Sequence, residues 1–192
     1  MNATQPTRST VSNPANASSI SRFATMSLRE LVDHIVSTHH TTLRKLMPRA
    51  LKLLDECSAM APPSDRIIIA LRDVLEPMWE EMQDHIVREE QVIFPAIELL
   101  DHARTRPGIH CGDIDGVIHG LEHDHHLAAE AQRLVRDLTH AFEKPVDALP
   151  AYAELMDTLA ALDADLTEHT HVEDAVLFPR ARQVEAEIMR KG

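Results

Sequence analysis

Cysteine is scarce in this chain: its 192 residues carry two, Cys57 and Cys111. Two thiols without ligand spacing exclude both a disulfide framework and a thiolate metal site, and we read them as reduced and incidental. Aromatic residues are only 3% of the chain and glycines number five. That poverty argues against a β-sandwich or barrel, whose strands favour aromatic and β-branched residues. No apolar run approaches the roughly 18 to 20 residues of a membrane span, and the N-terminus lacks the apolar centre of a signal peptide. A soluble, cytoplasmic protein with no membrane partner is expected. Basic residues are also in deficit, with a formal net charge of −12, so nucleic acid is not an expected partner either.

What the chain does have is histidine, thirteen of them, and long stretches of helical periodicity. Residues 1–25, rich in Ser, Thr, Asn and Ala, are expected to form a disordered tail, leaving 26–192 as one domain. Ser27 with Glu30 three residues on is a capping signal. Leu28, Val32, Ile35, Leu43, Leu46, Ala50 and Leu53 then recur at helical spacing to about residue 57. Pro62 and Pro63 end this helix, and Ser64 or Asp65 caps a second that runs to about Ala103, with bends at Pro77 and Pro95. A loop over residues 104–112 precedes a third helix from Asp113 to about Phe142, and a fourth runs from Pro150 to about Met189, interrupted near Pro179. The expected fold class is therefore all-α, an antiparallel up-down-up-down four-helix bundle.

One phrase occurs twice. His85-x3-Glu89 is followed by Phe94-Pro95, and His169-x3-Glu173 by Phe178-Pro179. A histidine and a glutamate four apart share one helix face, so each copy offers an imidazole and a carboxylate to the same point. One such pair alone is ordinarily a solvated surface pair. Two copies in register within a bundle point to a metal site, and each Phe-Pro reads as a core plug where a helix bends. The repeat extends upstream: His40 precedes His85 by 45 residues and His123 precedes His169 by 46. Four histidines and two glutamates could then surround two ions. Nitrogen and carboxylate ligands without thiolate suit iron or manganese, and zinc on chemistry alone. On the first helix, apolar periodicity places His39 nearer the stripe centre than His40. On the third, His119, His123 and His126 share a face, with His125 directed elsewhere. Asp124 and Asp174 stand next to ligand positions and could support them.

These residues resemble the hemerythrin-like domain of the repair-of-iron-centres family, bacterial di-iron proteins of nitric oxide and peroxide stress. The resemblance covers roughly residues 27–182. It is carried by Leu31 to Val36 leading to His40, Arg44 and Pro48, by His85-x3-Glu89-Glu90-Gln91-x2-Phe94-Pro95, by Glu122-His123-Asp124, and by His169-x3-Glu173-x3-Leu177-Phe178-Pro179-Arg180. It implies a hemerythrin-like bundle holding two non-haem iron ions, bridged by carboxylate and by an oxo or hydroxo group. Glu89 and Glu173 would be the bridging carboxylates, with His40, His85, His123 and His169 as terminal ligands; the family's order of elements favours His40 over His39. The function implied is help in restoring damaged iron-sulfur centres, by iron release or by handling NO. An O₂ or NO carrier or sensor without turnover, and a di-iron peroxidase or ferroxidase, are the alternatives. The partners implied are a small ligand (O₂, NO or peroxide) and iron-sulfur proteins. Two departures stand out. Members commonly begin with a small domain holding a cysteine pair, and here residues 1–25 stand in its place. Many also carry a histidine late in the first helix, whereas Cys57 to Ala61 includes none.

Overall fold

The computed structural model describes residues 22–60, 66–102 and 114–191. Residues 1–21 of the expected tail lie outside them, as do the cap at Ser64 or Asp65, the loop at 104–112 and Cys111. The first arm comprises α1 (Leu28–His34), a π-helical turn (Ile35–His40) and α2 (Thr41–Met60). The second comprises α3 (Arg66–Arg88), a π-helical turn (Glu89–Ile93) and α4 (Phe94–His102). α5 (Ile114–Leu138) is the third arm, and α6 (Pro150–Val172), a π-helical turn (Glu173–Leu177) and α7 (Phe178–Lys191) form the fourth.

Local chemistry explains the ends. Ser27 Oγ accepts from the Glu30 backbone N–H at 3.1 Å while the Glu30 carboxylate accepts from the Ser27 N–H at 2.7 Å, a reciprocal cap that satisfies two otherwise orphaned donors. Pro150 opens α6 at the position where a missing N–H costs nothing. α5 stops at Leu138, earlier than the periodicity suggests, because His140, Ala141 and Phe142 all adopt positive φ (48°, 57° and 66°). The Thr139 hydroxyl accepts from the Phe142 N–H there.

α2 packs along α6 and against α3, α3 packs on α5, and α4 lies against α1. This is the up-down-up-down bundle, with the second and fourth arms parallel and diagonally opposed; α4 and α7 touch across the diagonal. Its apolar interior divides in two. Leu28, Leu31, Ile35, Ile97, Ile114, Ile118, Leu177 and Phe178 belong to the cluster at one end. Leu43, Met47, Leu53, Leu71, Ile86, Leu155, Leu159 and Leu166 belong to the cluster at the other. Between them lies a layer of buried polar side chains: His39, His40, His85, Glu89, His125, His169 and Glu173.

Truncation in these clusters should cost what a buried leucine costs. Leu53 is fully buried, so Leu53→Ala should destabilise the protein by about 2 to 5 kcal/mol. Leu99→Ala, at a side chain that is mostly exposed, should stay within about 0.5 kcal/mol. Chemical denaturation of both variants checks the difference.

Candidate metal centre

The π-helical turns deliver the polar residues to this layer. In the first arm the Thr41 N–H reaches back five residues to the Val36 carbonyl, which inserts one extra residue into the turn and rotates everything beyond it. His40 thereby arrives where uninterrupted α-periodicity would place His39. Leu43, Met47, Ala50, Leu54 and Cys57 continue the buried face from His40. In the second and fourth arms the Phe94 N–H donates to the Glu89 carbonyl and the Phe178 N–H to the Glu173 carbonyl. Each widened turn runs directly into a proline, which has no N–H to donate and whose ring presses on the preceding turn. Phe94 and Phe178 are buried plugs, as expected, and each covers a histidine: Phe94 stacks on His40 with ring centroids 5.7 Å apart, and Phe178 on His125 at 6.0 Å.

Six side chains meet at the centre in two overlapping groups. His40, Glu89, His169 and Glu173 form one, and His85, Glu89, His125 and Glu173 the other, with the ligand atoms of each within 4.8 Å of one another. Both glutamates are 0% exposed and common to the two groups. Glu89 lies 3.1 Å from both His40 Nε2 and His85 Nε2, and Glu173 lies 3.1 Å from His169 Nε2 and 3.2 Å from His125 Nε2. These short separations are not good hydrogen bonds. His40 Nε2, His169 Nε2 and all four carboxylate oxygens are buried without a hydrogen-bond partner. His85 and His125 turn their Nε2 atoms toward each other at 3.2 Å. Donors that converge without satisfying one another fit a cation between them, since two ligands about 2.1 Å from one ion sit about 3 Å apart.

Behind the imidazoles stand further carboxylates. His40 Nδ1 pairs with Glu90 at 2.8 Å, His125 Nδ1 with Asp174 at 2.8 Å and His85 Nδ1 with Asp124 at 3.3 Å. Arg44 grips Glu90 with two hydrogen bonds of 2.8 and 2.9 Å, and Arg88 reaches Asp124 at 2.7 Å. Such partners fix the tautomer and orientation of a ligating imidazole and strengthen it as a donor.

Of the residues expected from the sequence, the structure brings together His40, His85, Glu89, His169 and Glu173. It does not bring in His123, which is exposed on the outside of α5; His125, expected to point away, is buried in the cluster instead. The reason is that α5 is a regular helix whose buried positions run Ile114, Ile118, Leu121, His125, Ala128, Gln132 and Val135. That stripe was present in the sequence and identifies His125. The matched spacing that selected His123 crosses two inter-helix connections, whose lengths need not be equal. His119 and His126 are exposed. His39 is buried beside the centre: its ring stacks on His169 and its Nδ1 meets Asp165 at 2.9 Å.

A cavity of about 340 Å³ between α3 and α5 reaches this centre from one side. Val74, Met78, Met82, Leu127 and Ala128 are among its apolar walls, and Glu81, Asp84, Arg88 and Asp124 contribute its charged lining. His85 and His125 both line it, while none of its lining residues belongs to the His40/His169 pair.

This bundle and its buried cluster define a cation-binding four-helix protein. Residues 31–181 match the hemerythrin HHE cation binding domain, and the chain belongs to that family. Among curated proteins it is 27% identical over 154 residues to a probable iron-sulfur cluster repair protein of Haemophilus influenzae, covering 80% of this chain and 65% of that protein. It is 28% identical over 155 residues to the iron-sulfur cluster repair protein YtfE of Dickeya chrysanthemi (81% and 66% covered), and 29% over 154 residues to that of Edwardsiella ictaluri (80% and 66%). The chain thus spans about two thirds of the length of these relatives. Among the described residues, no helix is long and apolar enough to cross a membrane.

Protons can occupy the centre as well as metal. Burial pulls the His125 imidazole down, but the Asp174 and Glu173 carboxylates outweigh it and push it up to about 10. Burial likewise pulls His40 and His85 down, and the carboxylates around them more than reverse it. Burial pushes Glu173 up, yet His169 and His125 hold it well below the usual carboxylate range. A raised histidine stabilises the fold fully below its unfolded value of 6.5 and loses that contribution as pH climbs through about 10. A depressed carboxylate contributes above 4.5 and loses the contribution as pH falls through its lower folded value. Thermal melts of metal-free protein should therefore show a decline in stability from about pH 6.5 toward 10. His125→Ala should flatten that alkaline limb, and His123→Ala should leave it unchanged.

Proposed function

We propose that this chain holds two iron ions and serves in the nitrosative and oxidative stress response, helping to repair damaged iron-sulfur centres by releasing iron or handling NO. The observation that carries the reading is the pair of four-donor groups sharing Glu89 and Glu173. Two buried carboxylates common to two imidazole pairs suit two cations of like charge, and a nitrogen and oxygen donor set free of thiolate suits iron. In this reading Glu89 and Glu173 bridge, His40 and His169 hold one ion, and His85 and His125 hold the other. When bound, an iron pair supplies one- and two-electron redox chemistry and open coordination positions for O₂, NO or peroxide. The protein's own part is to hold the imidazoles in one tautomer through Glu90, Asp124 and Asp174, to exclude bulk water with Phe94 and Phe178, and to admit a small ligand beside His85 and His125. The iron-sulfur cluster repair relatives support iron-sulfur proteins as partners. Such work fits the cytoplasm, where thiols and exposed clusters stay reduced.

The cavity favours one second reading. An apolar passage ending at two histidines of the centre is also what a carrier or sensor of O₂ or NO requires. Anaerobic mixing of the ferrous protein with O₂, NO and peroxide separates the two. NO consumption, or iron transfer that reactivates an NO-damaged iron-sulfur enzyme, is expected for repair; a stable, reversible O₂ spectrum without iron loss would instead establish the carrier.

Metal analysis of protein from iron-replete cells should find about two irons per chain, and Glu89→Ala should abolish magnetic coupling between them. His125→Ala should lower the iron content toward one, whereas His123→Ala should retain both. A wild-type stoichiometry near one, or coupling that survives Glu89→Ala, would overturn the bridged di-iron centre.

A further inference from the structure

In the groups that stand behind the imidazoles, the two halves of the centre differ in one respect. Matched contacts define the pseudo-twofold: His40 corresponds to His125, each under a phenylalanine and each with a carboxylate on Nδ1. His85 corresponds to His169, each 3.1 Å from the glutamate four residues on. Glu90 corresponds to Asp174, each directly following a central glutamate. Since His40 pairs with His125, the residue before each also pairs: His39 with Asp124.

That last correspondence breaks the symmetry. Asp124 places a carboxylate on His85 Nδ1. His39, in the equivalent place, sets its ring parallel to His169, with an interplanar angle of 5° and centroids 5.3 Å apart. Its Nδ1 is tied to Asp165, and its Nε2 is buried without a hydrogen-bond partner. His169 Nδ1 is likewise buried and unpartnered. Three of the four imidazoles of the centre are thus backed by a carboxylate, and His169 is not.

A carboxylate behind a ligating imidazole orients the ring and strengthens the donor, and its loss typically costs about 10- to 100-fold in metal affinity. We propose that His39 makes the two metal positions unequal, so that the His40/His169 position binds a divalent first-row cation more weakly, fills second and empties first. The His85/His125 position, with both imidazoles backed, is the retained one. Asp124 is shared with Arg88 and stands 3.3 Å from His85, which places the expected difference near the lower end of that range. The inference rests on the two-ion reading above. It adds that the exchangeable ion lies on the side away from the cavity, because of the six residues of the centre His85 and His125 are the two that line it.

The experiment is an anaerobic titration of the metal-free full chain with ferrous ion, in competition with a chromophoric chelator. Wild-type protein should show two binding steps separated by about tenfold or more. Three substitutions shift the gap in directions that a general loss of packing would not reproduce. Asp124→Ala should weaken the tighter step and narrow the gap. Glu90→Ala, which removes the carboxylate behind His40, should weaken the looser step and widen it. His39→Asp should restore a carboxylate near His169 and tighten the looser step. Circular dichroism identifies any variant that fails to fold, and the Asp124 and Glu90 variants decide the matter without the His39 variant. Two equal steps in the wild type, or a gap moved the same way by Asp124→Ala and Glu90→Ala, would overturn the inference and leave the two-ion reading standing. Fewer than two bound ions would overturn both.

Discussion

Two carboxylates with no solvent exposure, Glu89 and Glu173, stand at the middle of an apolar bundle, and the rest of the design answers to them. Burying an unpaired carboxylate costs several kcal/mol, and twice that cost would consume much of the stability of a domain this size. The structure surrounds them with four imidazoles, supports three of those imidazoles with a further carboxylate, and anchors two of the supporting carboxylates on Arg44 and Arg88. Charge therefore alternates outward from the centre to the surface. Polar groups form a complete layer, with an apolar cluster on either side. Those clusters supply the packing energy that holds the layer in place.

α5 supplies His125 to this layer as a regular α-helix, whereas the other three arms widen where they cross it. In an uninterrupted helix a histidine and a glutamate four apart lie along one face, while the phenylalanine five residues after the glutamate must also turn inward. The π-helical turns at Ile35–His40, Glu89–Ile93 and Glu173–Leu177 change the helical phase at the level of the ligands. Apolar positions can then face the core on both sides of the layer. Two of the three turns also lead into a proline, at 95 and 179.

This explains which parts of the centre were legible beforehand. The two copies of His-x3-Glu with Phe-Pro lie on elements of the same kind, and the structure brings their histidines and glutamates together. The bundle order followed from the helical periods and the prolines between them. His39 and His40 were hard to separate because a π-helical turn adds a residue that α-periodicity cannot anticipate. On α5 no such turn intervenes, and the apolar stripe through Ile118, Leu121 and Ala128 points to His125 without ambiguity. Periodicity was therefore the wrong guide where the helix widens and the right guide where it is regular. Spacing between helices misled because inter-helix connections carry no fixed length. Glu90 and Asp165 were not singled out as supports; each meets its histidine across two arms of the bundle, as Asp124 and Asp174 also do.

The same electrostatics bears on how the protein survives without its metal. A site that binds cations tightly through buried carboxylates ordinarily loses its fold when the cation leaves, because the negative charge is left unbalanced. Here the imidazoles can take up that role. With Glu173 held well below the usual carboxylate range and His125 pushed up to about 10, these two groups favour opposite charges when no cation lies between them. Attraction between His125 and Glu173, 3.2 Å apart, then offsets part of the cost of burying the carboxylate. For a protein whose proposed work includes giving iron away, this matters as much as binding it. A scaffold that collapsed with each release would have to refold before it could load again, whereas one whose buried ligands attract each other keeps them arranged for the next ion.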